Sequence, residues 1–388
     1  MGPGSAGASL EQLLVDAPPP SVVQQQESEE EAIPEAAAGK RWDCKFTHEV
    51  MWYKDDTGAQ CINEYELGEE LGRGSFGRVR ACKRRGDAQG RQFAMKIMSK
   101  PRLRKMAEYV NVGTGMRKVT AEDKVRREID IMRHLYHRNV VLLFEVLESA
   151  DTYDDDSHIC MVLELMERGP TMVCGADGTF VAERGEAGVW PEAAAQLMFA
   201  DLVRGMQYLH GRGICHRDIK PDNLMIYENG TLRITDFGCA VYFPPGPARD
   251  AALLRDTAGA YTFLAPECIN LKADPYCGYG ADIWSAGVTL YTWIFGEVPF
   301  YSDSPEPLYE AIRNDPVELG EALSADLLDL LARLLDKDPR SRITLQQCLS
   351  HAWLKDVPEP PVPAAAAAAA PAMENGGGGG GGGAGAEA

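Results

Sequence analysis

The sequence predicts an α+β fold. Three observations lead there. Short apolar or alternating runs punctuated by glycine follow one another from Leu71 to Met166, as strands do. One strong helical stripe, Val125, Ile129, Met132 and Leu135, interrupts them. Farther on, a hairpin signal at Asn229-Gly230 precedes a long apolar helix opening near Asp282. At 388 residues the chain is long enough for two lobes, each with a core.

The ends set the boundaries. Residues 1–40 are rich in Gly, Pro, Gln and Glu, and residues 1–39 hold seven acidic side chains with no Lys or Arg. Residues 355–388 run from Pro358-Glu-Pro-Pro-Val-Pro through seven alanines into polyglycine. Neither stretch can bury enough apolar surface to offset ordering entropy, so both are expected to be disordered tails. Residues 41–64 contain Trp42, Phe46, Met51 and Trp52, and are expected to pack on the domain as an extension. The net charge of −19 argues against nucleic-acid and anionic-membrane partners, which call for basic patches. The longest apolar stretch, Ala286 to Phe295, is too short to span a bilayer. The start, Met1-Gly2-Pro3-Gly4-Ser5-Ala6, lacks the hydroxyl residue of a myristoylation site. Ten scattered cysteines without a CxxC pair suit reduced thiols, hence a cytoplasmic or nuclear setting. Cys239 reads as a small buried residue or as a reactive thiol.

Leu71-Gly72-Arg73-Gly74-Ser75-Phe76-Gly77-Arg78-Val79 holds G-x-G-x-x-G, a weak signal alone. A dinucleotide fold would continue into a helix. Here Val79, Ala81 and then Lys83-Arg84-Arg85-Gly86 continue as a strand and turn, which suits a flap whose glycines let backbone amides approach phosphate. The next strand, Phe93 to Met98, places Lys96 among apolar neighbours, where a charge is costly unless paired. Glu128, on the edge of the helical stripe, is the candidate partner; the plainer alternative is a snorkelling lysine and a surface glutamate. Ile159 to Met166 reads as a buried strand leading into a connection between lobes.

The most informative stretch is His216-Arg217-Asp218-Ile219-Lys220-Pro221-Asp222-Asn223, with Asp236-Phe237-Gly238 downstream. Phosphoryl transfer needs a carboxylate to orient a hydroxyl, a cation on the moving group and oxygen ligands for magnesium; these residue types supply all three. If Asn229 and Gly230 form a two-residue type I′ turn, Asn223 falls directly opposite Asp236, about 5 Å away between backbones. A longer loop would shift that register, and an ordinary surface hairpin is the alternative.

These motifs, with Ala265-Pro266-Glu267, Asp282-Ile283-Trp284-Ser285-Ala286-Gly287 and Arg340-Ser341-Arg342, resemble those of the eukaryotic serine/threonine protein kinases over residues 65–354. The resemblance implies a bilobal protein kinase fold: a small antiparallel β N-lobe with one main helix (65–163) and a larger, mainly helical C-lobe (167–354). It implies ATP and Mg2+ as cofactors. Asp218 becomes the catalytic base, Lys220 the cation on the phosphoryl group, and Asn223 and Asp236 the metal ligands. Lys96, held by Glu128, takes the α- and β-phosphates under a flap containing Gly72, Gly74 and Gly77. Leu71, Val79, Ala94 and Met225 enclose adenine, with the Glu164 carbonyl and Met166 amide at the hinge and Leu163 as gatekeeper. His216, Phe237, Glu267, Asp282 and Arg342 have structural roles, and Lys220-Pro221 points to Ser/Thr acceptors. Arg217 would pair with a phosphate on the activation segment, for which Thr257 is the best-placed acceptor.

A closer resemblance is to the calcium/calmodulin-dependent protein kinase kinases and the related plant kinases that activate AMP-activated-kinase relatives. It rests on Ile62-Asn63-Glu64-Tyr65, an insertion from Ser99 to Lys124, Val162 to Pro170 at the hinge and Gly287-Val288-Thr289-Leu290-Tyr291. It implies a protein substrate that is itself a kinase. Three departures bear on it. No basic amphipathic helix follows Lys355, which argues against calmodulin control by that route. The insertion keeps basic residues but only one proline, Pro101. Ala260 stands where a threonine usually bridges the catalytic Asp and Lys, with Thr262 as the nearest substitute. A pseudokinase scaffold is the alternative, opposed by the presence of Lys96, Asp218 and Asp236.

Overall fold

The computed structural model describes residues 44–111, 116–150, 157–175, 178–269, 275–320 and 323–358. The acidic front tail and all but the first residues of the tail from 355 lie outside them. The elements below belong to one compact unit ending at Val357.

The N-lobe is built on eight strands: β1 (Lys45–Thr47), β2 (Trp52–Lys54), β3 (Gln60–Ile62), β4 (Tyr65–Arg73), β5 (Gly77–Arg84), β6 (Gln92–Ser99), β9 (Leu143–Glu148) and β10 (His158–Glu164). They run β1-β9-β10-β6-β5-β4-β3-β2, antiparallel except for the parallel pair β1–β9. Alternation along β6 sorts its faces. Phe93, Met95 and Ile97 are buried in a cluster with Tyr65, Leu67, Cys82 and Val162, whereas Ala94 and Lys96 stay half-buried on the opposite face.

The insertion after β6 folds as α1 (Lys100–Lys105) and the hairpin β7 (Ala107–Asn111)–β8 (Met116–Thr120). It delivers the chain to α2 (Ala121–Met132), which starts at a capping box between Thr120 and Asp123. The stripe Val125, Ile129, Met132 and Leu135 is buried, as its period requires.

The C-lobe is mainly helical, with α3 (Glu192–Gly211), α6 (Gly278–Phe295), α7 (Pro305–Asn314), α8 (Ala325–Leu334) and α9 (Leu345–Ser350) as its longer members. Short two-stranded antiparallel sheets sit among them: β11 (Val173–Cys174) with β12 (Phe180–Val181), β13 (Ile214–Cys215) with β16 (Val241–Tyr242), β14 (Leu224–Ile226) with β15 (Leu232–Ile234), and β17 (Leu253–Leu254) with β18 (Tyr276–Cys277). The activation segment, from Asp236 to Glu267, carries helix α4 (Pro247–Ala251) and ends in α5 (Pro266–Ile269). Trp284 and Trp293 of α6 are fully buried and anchor the lobe's core. No helix among the described residues is long and apolar enough to cross a membrane.

The hairpin β14–β15 corrects one expectation. Leu224 pairs with Ile234 and Met225 with Arg233, one residue off the register of a two-residue turn. Tyr227 N–H donates to the Thr231 carbonyl (3.0 Å), which leaves the three-residue loop Glu228–Gly230. Only Gly230 is left-handed (φ 85°), while the Asn229 side chain accepts from Thr231 N–H at 2.9 Å. A type I′ turn needs two positive φ values; a side-chain bond from Asn229 and one glycine avoid the second. Asn223 therefore faces Thr235, whose N–H and Oγ1 both donate to its carbonyl at 2.9 Å, and Asp236 lies one residue beyond. Gly230→Ala should cost about 1 kcal/mol in chemical denaturation, and Asn229→Ala about 0.5 kcal/mol. Equal losses at both positions would favour the two-residue turn.

Candidate active site

The site lies between the two lobes. On the upper side, β4 and β5 make the flap, closed by a 2.9 Å bond from Gly74 N–H to the Gly77 carbonyl. The three glycines are not equivalent. A Cβ on Gly77 would lie 2.1 Å from the Ile97 carbonyl oxygen, so strand packing alone demands glycine there. Cβ atoms on Gly72 or Gly74 would meet nothing within 4 Å. Packing within the described residues therefore does not demand glycine at either position, and open space beside backbone amides is what a phosphate group requires.

Behind the flap, Lys96 Nζ lies 2.8 and 3.0 Å from the two Glu128 carboxylate oxygens. Strand β6 fixes Lys96 between Val79 and Met161, and α2 brings Glu128, which is buried. Burial pulls the Lys96 pKa down, but the carboxylates of Glu128 and Asp236 outweigh it and raise the pKa. Lys96 is therefore a fixed cation aimed at the cleft.

Around the cleft, apolar residues that their neighbours would lead one to expect buried are only half-buried. Val79, Ala94, Leu163, Met166 and Met225 are of this kind, and Leu71 is exposed. Met225 sits between the buried Leu224 and Ile226. At the hinge, Glu164 N–H donates to the Leu142 carbonyl (2.9 Å), and its carboxylate accepts from Arg233 Nη2 at 2.9 Å. Met166 N–H has no backbone partner among the described residues.

On the lower side, the catalytic loop hangs from one buried carboxylate. Asp282 accepts from His216 N–H (2.9 Å) through Oδ2 and from Arg217 N–H (2.8 Å) through Oδ1, with His210 Nε2 2.9 Å from Oδ2. Burial raises the Asp282 pKa, but His210, His216 and the Arg217 amide prevail and hold it below the usual carboxylate range. Immediately after the two anchored amides the chain bends, with Arg217 left-handed (φ 67°). His216 is buried, 3.0 Å through Nε2 from the Thr235 carbonyl and edge-on to Phe237.

Past the bend, Asp218 gathers its neighbours. Its Oδ2 lies 3.0 Å from Lys220 Nζ and accepts from Asn223 Nδ2 at 2.7 Å; its Oδ1 accepts from Ala260 N–H at 3.1 Å. Burial lowers the Lys220 pKa, while Asp218, Asp222 and Asp236 overcome that and raise it. Asn223 spends its amide N–H groups on Asp218, so its side-chain carbonyl is left for another partner. Asp236 is left-handed (φ 60°), and one of its oxygens accepts from Gly238 N–H at 3.2 Å. Two hard oxygen donors beside Lys96 and Lys220 fit a magnesium ion that retains waters and shares phosphate oxygens.

The activation segment holds two surprises. Arg217 is engaged by Asp256, at 2.9 Å between Nη2 and Oδ2, with a second bond to the Asp256 carbonyl. Thr257, the residue expected to face Arg217, instead donates through Oγ1 to the Cys268 carbonyl at 3.0 Å. Ala260 meets Asp218 through its backbone, and no hydrogen bond from Thr262 reaches Asp218 or Lys220 among the described residues. The segment's end is pinned by Arg342, bidentate to Glu267 at 2.6 and 2.9 Å. Cys239 is not a ready nucleophile: burial and the nearby Asp218 and Asp236 push its thiol up to about 11. His210 and Asp256 escaped the sequence reading, since nothing local marks a histidine or aspartate that becomes a neighbour only through the fold.

Fold and site together define a two-lobed phosphotransferase with a nucleotide cleft. The comparisons agree: the protein kinase domain family matches residues 65–354. The serine/threonine-protein kinase GRIK2 of Arabidopsis thaliana is 35% identical over 309 residues, covering 79% of this chain and 69% of its own. The serine/threonine-protein kinase TOS3 of Saccharomyces cerevisiae is 33% identical over 330 residues, covering 80% and 56%. Calcium-dependent protein kinase 20 of Oryza sativa subsp. japonica is 34% identical over 324 residues, covering 81% and 52%, so the chain spans about half the length of the last two. The chain belongs to the protein kinase family, among its serine/threonine kinases. With that come ATP as phosphoryl donor and Mg2+ as cofactor.

The glycines separate structure from ligand binding. Gly77→Ala should lower stability by about 1–3 kcal/mol through overpacking. Gly74→Ala should leave the thermal midpoint nearly unchanged and raise the KM for ATP.

Proposed function

We propose that Asp218 orients the incoming serine or threonine hydroxyl and receives its proton, and that Lys220 meets the transferring phosphoryl group. The observation that carries this reading is the gathering of Lys220, Asn223 and the Ala260 amide on one carboxylate, within 3.1 Å. Asn223 and Asp236 would hold the Mg2+, whose charge offsets that developing on the phosphate oxygens. Lys96, fixed by Glu128, would take the α- and β-phosphates beneath Gly72, Gly74 and Gly77. Leu71, Val79, Ala94 and Met225 would enclose adenine against the hinge, with the Glu164 carbonyl and Met166 amide reading its edge. In this chain the proton has a defined path, from substrate hydroxyl to Asp218, while Lys220 and Asn223 keep that carboxylate from turning away.

The acceptor we propose is a threonine in the activation segment of an AMP-activated-kinase-like kinase. Support comes from Ile62-Asn63-Glu64-Tyr65, the Ser99–Lys124 insertion and the Val162–Pro170 hinge, features that resemble those of kinase-activating kinases. A cytoplasmic setting, with access to the nucleus, fits ten free cysteines.

Incubation with such a catalytic domain and MgATP should place phosphate on its activation-segment threonine. Asp218→Asn should lower the rate by about 10²-fold or more. Labelling that survives Asp218→Asn would overturn the assignment of the base, and absence of transfer to any acceptor would favour a scaffold.

Thr257 stands as the proposed regulatory phosphosite, with a geometric condition attached. A phosphate there must turn from Cys268 and compete with Asp256 for Arg217. The unphosphorylated enzyme should thus already be partly active through Asp256. Asp256→Asn should reduce its kcat about tenfold, the weight of one partly buried charge-assisted pair, and phosphorylation at Thr257 should restore it. Full activity in unphosphorylated Asp256→Asn would remove this role.

A further inference from the structure

The segment from Cys44 to Lys54 touches both ends of the N-lobe sheet. Its strand β1 pairs with β9 at one edge, and its strand β2 pairs with β3 at the other. Thr47 and Trp52 are five residues apart, so the two edges lie within about 18 Å of one another. The short link is clamped by Asn63, itself left-handed (φ 46°): its Oδ1 accepts from Met51 N–H (2.7 Å), and its Nδ2 donates to the Glu49 carbonyl (2.8 Å). Trp52 packs on His158 of β10, with ring centroids 5.1 Å apart.

The segment also completes a buried polar site. Glu145 in β9 is 2% exposed, and it accepts from Tyr65 OH (2.7 Å) and Thr47 Oγ1 (2.5 Å) with Lys45 Nζ at 2.7 Å. Two of those three partners come from the segment. Without them a buried carboxylate would keep only a tyrosine hydroxyl, an expensive state. Lys45 also reaches Glu64 at 3.4 Å, so one ammonium bridges the two edges.

From this base the segment extends to α2. The Arg133 guanidinium, at the C-terminal cap of α2, lies over the Phe46 ring at 5.9 Å. Cys44, at the start of the segment, is itself buried. Glu128 is little more than one turn before Arg133. We propose that residues 44–54 form a strap that seats α2, and that Phe46 is a positioning residue for the Lys96–Glu128 pair. The strap closes the sheet into a ring, Glu145 fixes where it crosses, and the Phe46 ring holds the end of the helix whose middle carries Glu128. This rests on the role proposed above for that pair.

The test uses the full chain with Phe46→Ala and Phe46→Tyr, each alone and with Glu128→Gln. Phe46→Ala should lower kcat about two- to fivefold, the worth of one cation–π contact. Phe46→Tyr, which keeps the ring, should restore it. In the Glu128→Gln background Phe46→Ala should cost nothing further. Amide exchange should quicken across residues 121–132 in Phe46→Ala and remain unchanged in β4, β5 and β6. Losses that multiply unchanged onto Glu128→Gln, or exchange that rises evenly through the lobe, would reduce the strap to a general stabiliser and overturn the proposal. Should the wild type transfer no phosphate, the exchange measurement still decides whether Phe46 seats α2, and only the function proposed above falls.

Discussion

The lower half of the site depends on what Asp282 does with a buried charge. An isolated carboxylate in that position would be driven to protonate; three donors make it an anchor instead. Two of the donors are the successive backbone amides of His216 and Arg217, so the loop is tied to the carboxylate at both ends of one residue. The chain then turns through a left-handed Arg217, and the next side chains diverge. Arg217 goes to Asp256 in the activation segment, while Asp218 goes to the cleft. One interaction thus anchors the stretch that sends Arg217 to the activation segment and Asp218 to the cleft. Removing it would misplace both, which is why a residue that never meets substrate can matter as much as one that does.

The same device recurs. Glu128 with Lys96, Glu145 with Lys45 and Tyr65, and Glu267 with Arg342 each join elements far apart in sequence through a carboxylate shielded from water. Such pairs contribute little net stability against well-packed apolar residues, yet breaking one partner is costly. They accordingly act as registers: they penalise every arrangement except the one in which both partners meet. For α2 the consequence is specific. Its apolar stripe fixes which face is buried, but a stripe tolerates sliding, and the Lys96–Glu128 bond defines the position at which Lys96 points to the cleft.

Contiguous chemistry was legible in the sequence. His216 to Asn223 and Asp236 to Gly238 identify themselves because residue types and spacing are both constrained, and the helical stripe of α2 located Glu128. The hairpin register was missed by one residue because Asn229 can bond its side chain to the backbone, an option the Asn-Gly signal does not exclude. The strap was anticipated as packing by Trp42, Phe46, Met51 and Trp52. Trp42 lies outside the described residues, and the other three remain substantially exposed. What fastens the strap is Glu145, about a hundred residues away, and only the fold makes that pairing visible. Asp256 was passed over for a similar reason: which of two adjacent side chains turns toward Arg217 is decided by the tertiary path of the segment.

Ala260 shows how such a path can substitute for a side chain. A threonine there would bring a hydroxyl to Asp218; this chain brings the backbone N–H of the same residue, at 3.1 Å. For a backbone amide to come that close, the preceding residue must clear the catalytic loop. Gly259 is left-handed (φ 90°), and a Cβ on it would lie 2.3 Å from the Arg217 carbonyl oxygen and 3.1 Å from Asp218 Oδ1. Any side chain would push the segment away from the carboxylate it supports. The amide contact with Asp218 thus depends on what position 259 must lack, whatever side chain position 260 carries, and it persists without the threonine.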